Sequence, residues 1–359
     1  MKLALVHDWL NQIGGAEDVL EELVSYYPSA PVYTSMYAPD LMPASYRQWD
    51  IRTTWMNRLP GIHQHHQRYL PLYPLAWNRL DLSDYDVILS NKSGFCHGVK
   101  TRGKTRHICY CLTPTRYIWD LEPYLQRENF GTSIRLAAKL VSRLYRRWDY
   151  EAAQRVDEFI AISTEVQQRI KQFYGRASTI IYPPVECAER FKPSPVTEDY
   201  FLILSRLVPY KRIDLAVEAC TRLGLPLIVG GKGRDRERLE ALAGPTVKFL
   251  GFVPDDEVPD LMARCRAFIF PGLEDFGITP VQAQAAGRPV IAFKGGGALD
   301  TVLPGQTGLF FEEQTVESLM HALQQFDEQD YDSAVLRTHA LHFDTAVFKE
   351  AITSRIALP

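Results

Sequence analysis

Short apolar runs followed by longer amphipathic stretches recur along this chain in two separate series, and that recurrence restricts the available folds more than any other feature. The first series of runs is Leu3–Val6, Val87–Leu89, His107–Cys111, Phe159–Ile162 and Thr179–Ile181. The second is Tyr200–Leu204, Pro226–Val229, Val247–Leu250, Ala267–Phe270 and Pro289–Phe293. Between them, apolar spacing predicts helices over Ala16–Tyr26, Ser133–Gln154, Glu165–Tyr174, Ile213–Leu223, Asp235–Ala243 and Thr279–Ala286. Strands that are apolar throughout, without alternation, belong in parallel sheets covered by helices on both faces. Two such series predict an α/β chain with two domains, because a single core stops growing at about 250–300 residues. The break lies in Tyr182–Tyr200, where Pro183, Pro184, Pro193 and Pro195 exclude a regular helix or central strand. The expected domains are residues 1–184 and 185–342, followed by a last helical pattern over Phe343–Leu358.

Composition narrows the setting. Apolar residues make up 46% and charged residues 23% of the chain, an ordinary globular balance that excludes wholesale disorder. No stretch approaches the roughly 20 apolar residues of a bilayer span. The run Leu3–Val6 meets His7 and Asp8 too soon for a signal peptide. Six cysteines without a CxxC read as reduced core thiols of a cytoplasmic protein. The net charge of -3 conceals an asymmetry. Residues 51–150 hold 16 Lys and Arg against 7 Asp and Glu, a net +9, whereas residues 301–359 hold 3 against 9, a net -6. An anionic partner is therefore expected on the first half of the chain, and nucleic acid is not expected.

Four loops carry candidate chemistry. Gly14-Gly15 follows the first strand and opens a helix, which suits an anion at the helix N-terminus but is equally common turn chemistry. In SRLVPYKRIDLAVEA, Arg206 and Lys211 flank a turn at Pro209; they either neutralise a diphosphate together or are two solvated cations. In FPGLEDFGITPVQAQAAGRPVIA, Glu274 precedes Phe276, Gly277, Ile278 and Thr279, with a helix beginning near Pro280 and Gln282 in its first turn. Free N–H groups at Gly277–Thr279 suit a phosphate, and Glu274 and Gln282 can accept from sugar hydroxyls; a capping acid is the other reading of Glu274. The Lys294–Gly297 loop, Gly296 included, permits close ligand approach. Together these loops predict a site for a nucleoside diphosphate ligand at the C-terminal edges of the strands.

GGAEDV, CLTPTRYIWD, IYPPVECAERF, SRLVPYKRIDLAVEA, FLGFVPDDEV, FPGLEDFGITPVQAQAAGRPVIA and GGGALDTV together resemble the family 4 glycosyltransferases, and mannosyltransferase members among them. The resemblance implies the GT-B fold: two Rossmann-like parallel-sheet domains facing each other across a cleft, with the last helix returning to the first domain. It implies that Arg206 and Lys211 hold the donor diphosphate, that Gly14 and Gly15 lie against it, and that Glu274 contacts the transferred sugar. Phe276, Gly277, Ile278, Thr279 and Gly296 would line the donor site. The family signature spaces two Glu residues by seven; this chain has Glu274 and then Gln282, which keeps one acceptor for the ribose but not the charge. Many relatives carry His before Thr-Pro where this chain has Leu112. His97 is the nearest candidate to supply that polar contact, counted as catalytic with Glu274, Arg206 and Lys211, although a lone His is more often structural.

The implied reaction is retaining transfer of a hexose, mannose from GDP-mannose, to a glycan or lipid-linked acceptor in polysaccharide synthesis. The nucleotide sugar is the substrate, with no further cofactor and no metal: DLSD at Asp81–Asp84 has the wrong spacing for a metal motif, and Asp255-Asp256 reads as a helix cap. A nucleotide-sugar epimerase of the same fold and a non-catalytic sugar-nucleotide binding protein are the alternatives. A dehydrogenase is the least expected class, because no GxGxxG opens either domain. The basic stretch RLAAKLVSRLYRRWD, with Arg135, Lys139, Arg143, Arg146 and Arg147 among Leu136, Leu140 and Leu144, suits either an anionic membrane surface or packing on its own domain.

Overall fold

The computed structural model of the chain describes residues 1–119 and 132–357. It divides into two compact units, one of Met1–Ile181 together with the chain from Ala351, the other of Tyr182–Glu350.

The first unit is built on strands β1 (Leu3–His7), β2 (Val32–Thr34), β3 (Ile51–Thr53), β4 (Val87–Lys92), β5 (Arg106–Cys111), β6 (Glu158–Ala161) and β7 (Ser178–Ile180). They form one parallel sheet in the order β3-β2-β1-β4-β5-β6-β7. Every residue of β1 and β4 is buried; β1 is apolar up to His7, and β4 is apolar over Val87–Leu89 before the buried polar residues Ser90, Asn91 and Lys92. The strand order reverses between β1 and β4, so the crevice outside their C-terminal ends is the natural ligand position.

The second unit repeats the plan with β8 (Phe201–Leu204), β9 (Leu227–Gly230), β10 (Val247–Gly251), β11 (Ala267–Phe270), β12 (Val290–Phe293) and β13 (Gly308–Phe311). Their order is β10-β9-β8-β11-β12-β13, again parallel, with the reversal between β8 and β11. Phe201, Ile203, Leu227, Ile269, Ile291 and Leu319 are among its core residues, each contributing about 1.5–3 kcal/mol through burial. The helix Ile213–Leu223 buries Ile213, Ala216, Val217 and Cys220 along one face. It ends at Gly224, whose φ of 67° lets its N–H reach the Cys220 and Thr221 carbonyls.

Several expectations are corrected. The Tyr182–Tyr200 segment is part of the second unit rather than a bare connector: Val185, Cys187 and Phe191 are buried. Val185 N–H donates to the Phe343 carbonyl at 3.1 Å, and Thr345 N–H to the Val185 carbonyl at 3.2 Å. The prolines exclude long elements there without preventing packing. The last helix, Thr345–Ala357, is shared: it packs with the second unit up to Glu350 and with the first from Ala351. Ile352 and Ile356 are buried, and the Arg106 guanidinium donates to the Arg355 carbonyl at 3.1 Å. The helix after β11 begins at Ile278, so Gln282 lies in its second turn rather than its first. Asp255 and Asp256 precede the helix Val258–Arg264 as turn residues, and Glu257 occupies the cap position. All six cysteines are buried and unpaired.

Candidate functional site

In the second unit the chemistry gathers where the strand order reverses. The chain leaving β8 makes a turn at Pro209–Lys211, with Leu207 buried as its anchor. The chain leaving β11 runs against it at Gly272, where an added Cβ would lie 3.0 Å from the Lys211 carbonyl oxygen. This close approach brings Lys211 Nζ to 2.5 Å from Glu274 Oε1, an ion pair with both side chains mostly buried. Arg206 lies on the same loop before the turn, exposed, its guanidinium donating to the Tyr210 hydroxyl at 3.2 Å.

Glu274 leads into Gly277, whose φ of 94° forms the cap of the helix Ile278–Ala285. No side chain caps this helix, so its first N–H groups and the positive end of its dipole lie beside the Glu274 loop. Gly296 and Gly297 pack against the backbone of the Glu274 loop. Gly296 has φ 59° and is buried, and a Cβ there would run into the Glu274 carbonyl. Gly297 N–H donates to that carbonyl at 2.9 Å. Phe276 is buried, stacked on Tyr182 with ring centroids 5.8 Å apart. The loop carrying Glu274 is thus held by backbone and aromatic packing.

Two neighbouring loops extend this edge, and sequence reading missed both. After β9, Gly231 (φ 133°) lies on the Ser205 backbone and Gly233 on that of Leu207, so the turn can approach only without side chains. Leu207 N–H donates to the Lys232 carbonyl at 2.9 Å, and Gly231 N–H to that of Gly251 at 2.6 Å. After β10, Phe252 is 64% exposed, with Lys232 Nζ 5.1 Å from its ring centroid. The glycines of GGKG at the end of β9 were the one sequence signal; the exposure of Phe252 is visible only in the structure.

The first unit places Asp8 at its own reversal. The Asp8 carboxylate has no accessible surface and accepts four backbone N–H groups of the turn after β4. Oδ2 takes Ser93 at 2.8 Å and Gly94 at 2.6 Å; Oδ1 takes Phe95 at 2.6 Å and Cys96 at 2.8 Å. Asn91 donates to the Ala16 carbonyl at 2.7 Å and lies 3.3 Å from His7 Nδ1, leaving His7 Nε2 to donate to Glu17 at 3.2 Å. These bonds fix the start of the helix Gly15–Tyr26, whose extended cap residue Gly14 offers no side-chain cap. Gly14 and Gly15 are exposed, a local geometry that suits an anion.

His97 is corrected. It has no accessible surface, with Nε2 3.3 Å from the Asp149 carbonyl and its ring 6.0 Å from those of Trp148 and Tyr174. Burial, followed by the nearby Lys92 ammonium, holds its pKa well below the ordinary histidine value, so it is a neutral core residue. Leu112 is half-buried at the end of β5. Of the basic stretch, the side chains of Arg135, Leu136, Lys139 and Leu140 lie outside the described residues, as do Asp120 and the Tyr117 side chain. Arg143 is exposed, as is Leu144 at 71%.

The family model described as Glycosyltransferase Family 4 matches residues 13–189, and Glycosyl transferases group 1 matches residues 186–340. A GDP-mannose-dependent alpha-(1-6)-phosphatidylinositol monomannoside mannosyltransferase of Mycobacterium tuberculosis is 31% identical over 193 residues, 45% of this chain and 50% of that protein. The chain therefore spans about half the length of the mycobacterial relatives it matches. The serotype-specific mannosyltransferase WbdA of Escherichia coli is 25% identical over 277 residues, 71% of this chain and 33% of that protein. In fold, the Anabaena protein HepE in complex with UDP superimposes with a TM-score of 0.72 at 19% identity, covering 99% of this chain and 100% of its own. A sucrose-phosphate synthase from Thermosynechococcus elongatus gives 0.73 at 17% identity, covering 98% of each chain. With two parallel Rossmann-like sheets of the GT-B class and the two models meeting at residues 186–189, the chain belongs to the family 4 glycosyltransferases.

Proposed function

We propose that the chain is a retaining glycosyltransferase that moves mannose from GDP-mannose to a glycan or lipid-linked saccharide acceptor. The observation that carries the reading is the Lys211–Glu274 pair beside an uncapped helix N-terminus at the strand reversal. A donor diphosphate draws the Lys211 ammonium from Glu274, whose carboxylate then accepts from a sugar hydroxyl. Arg206 and the N–H groups of Gly277–Thr279 share the phosphate charge. As the glycosidic bond breaks, negative charge grows on the leaving oxygen, and these fixed donors stabilise it without reorganising. The acceptor hydroxyl attacks from the same face, passing its proton to that oxygen. The reading needs no metal, because the protein cations and helix dipole meet the charge. The mannosyltransferase names of the relatives support the sugar and base.

Phe252 lies two strand spacings from β8, about 10 Å along the edge, where a nucleotide base anchored by its phosphates would arrive. In a thermal-shift series GDP is expected to raise the melting temperature more than UDP or ADP, by mass action. Phe252→Ala should weaken GDP binding about five- to thirtyfold, the loss of one stacking contact. Indifference to all three nucleotides overturns the donor reading. Turnover of the nucleotide sugar without any acceptor would favour the epimerase alternative.

We further propose that the first unit meets an anionic lipid surface. Exposed Arg143, Leu144 and Arg147 lie on the helix Thr132–Ala153, and exposed Arg68 and Leu75 on the stretch that its Tyr145 hydroxyl joins by donating to the Pro71 carbonyl at 3.0 Å. Co-sedimentation should rise with the anionic lipid content of vesicles and fall in 0.5 M salt, as about 1 kcal/mol per arginine is screened. Pelleting independent of lipid charge overturns it.

A further inference from the structure

Two fully buried charges lie in the first unit. Lys92, the last residue of β4, and Asp149, on the helix Thr132–Ala153, have no accessible surface. Lys92 Nζ donates to the Thr113 carbonyl at 3.1 Å and to the Thr115 hydroxyl oxygen at 3.2 Å. Asp149 Oδ2 accepts from Trp119 Nε1 at 2.7 Å and from the Tyr174 hydroxyl at 2.7 Å. Its Oδ1 lies 2.9 Å from the Thr115 hydroxyl, which accepts from Lys92 and shares its one hydrogen between that carboxylate and the Gly94 carbonyl at 2.6 Å.

Burying an ammonium and a carboxylate is unfavourable unless their protons and lone pairs are matched, and apolar residues of similar volume would fill a core at least as stably. What the two charges hold is therefore informative. Apart from Tyr174, the Gly94 carbonyl and His97, whose Nε2 lies 3.5 Å from Asp149 Oδ1, these partners belong to Thr113–Trp119, the chain leaving β5. The same segment is tied by Leu112 N–H to the Lys92 carbonyl at 2.8 Å and by Arg146 Nε to the Ile118 carbonyl at 2.6 Å. Thr113, Pro114, Thr115 and Ile118 are buried, while Leu112 and Arg116 are only half-buried. The arrangement clamps the inner side of a loop whose outer side is presented at the sheet's C-terminal edge.

We infer that Lys92, Thr115 and Asp149 form a positioning unit that fixes the Leu112–Trp119 loop for the acceptor. The inference rests on the transferase reading, but it concerns the first unit, whereas the donor loops lie in the second. The three residues act through the loop and touch no substrate themselves.

The test compares Thr115→Val, which removes the bridging hydroxyl while keeping shape and both charges, with Lys92→Met. Acceptor KM is expected to rise about five- to tenfold in Thr115→Val, the loss of a buried hydrogen bond, and further in Lys92→Met. GDP affinity should stay within about twofold of the parent in both, since the donor loops are untouched. Should Lys92→Met fail to fold, Thr115→Val alone decides. Hydrogen exchange at residues 113–119 supplies a readout independent of turnover: it should accelerate in Thr115→Val while β1 and β4 keep their protection. Unchanged acceptor KM and unchanged exchange in a folded variant overturn the inference. A parent chain that binds no nucleotide and transfers no sugar overturns the transferase reading instead, and the exchange result still judges the clamp.

Discussion

Lys211→Ala lowers turnover about 10²–10³-fold, the effect of losing one preorganised donor to the developing charge, with the melting temperature little changed. The backbone of Lys211 is held by the turn Pro209–Lys211 and its ammonium lies 2.5 Å from Glu274, so meeting a phosphate takes only a change of side-chain partner. Removing it leaves a partly accessible carboxylate and a shallow gap, neither of which threatens the core. Arg206→Ala is expected to fall in the same range, with the smaller effect, because its guanidinium is exposed and water screens it. Steady-state kcat with saturating donor, assayed in the presence of EDTA, reads both. Unchanged turnover in the two variants would sink the assignment of the donor site. Loss of activity in the parent on adding EDTA would instead remove the claim that protein cations suffice.

Asp8→Ala is expected to cost about 3–5 kcal/mol of stability, as expected for buried donors that lose a charged acceptor. The carboxylate accepts from Ser93, Gly94, Phe95 and Cys96 at once, and its removal strands those N–H groups in the core. Water cannot easily replace it, because Asp8 has no accessible surface and Gly94 already lies against Trp9 and the carboxylate. Asp8→Asn should be no milder: its amide nitrogen would face two of the four donors with hydrogens of its own. Urea unfolding is the measurement, with the midpoint falling at constant slope. A loss under about 1 kcal/mol would mean that the turn after β4 satisfies itself by other means.

What could be read beforehand mostly follows burial, with the partly exposed edge strands β7 and β10 as exceptions, since Thr179–Ile181 and Val247–Leu250 are rich in β-branched and apolar residues. β1, β4, β5, β8, β11 and β12 sit inside their sheets, where both faces need apolar side chains, so each shows as a continuous run. β2 and β3 have three residues each, and β3 is an edge strand with Arg52 and Thr53 exposed, so no apolar run marks them. β13, also at an edge, was missed although GLFF is apolar, because Gly308 and the short length make it look like a turn. Arg206, Lys211 and Glu274 stood out because charged residues directly after apolar strands are conspicuous. Phe252 and Gly231 did not, since their meaning depends on which loops the sheet sets side by side. His97 misled for a related reason. Its neighbours in sequence are small or polar, and the groups that bury it, Trp148 and Tyr174, come from distant parts of the chain.

The shared helix Thr345–Ala357 also bears on how the protein is made. The first unit has all its strands once Ile180 is synthesised, yet it lacks Ile352 and Ile356 from its core until about 170 further residues have followed. At about 5–20 residues per second that is a wait of roughly ten to thirty seconds on the ribosome. During it, the surface that later receives Arg355 through Arg106 and Glu158 stays uncovered. Expressed as contiguous halves, the two units would not be equivalent: the first would emerge unfinished, waiting on a segment encoded with the second.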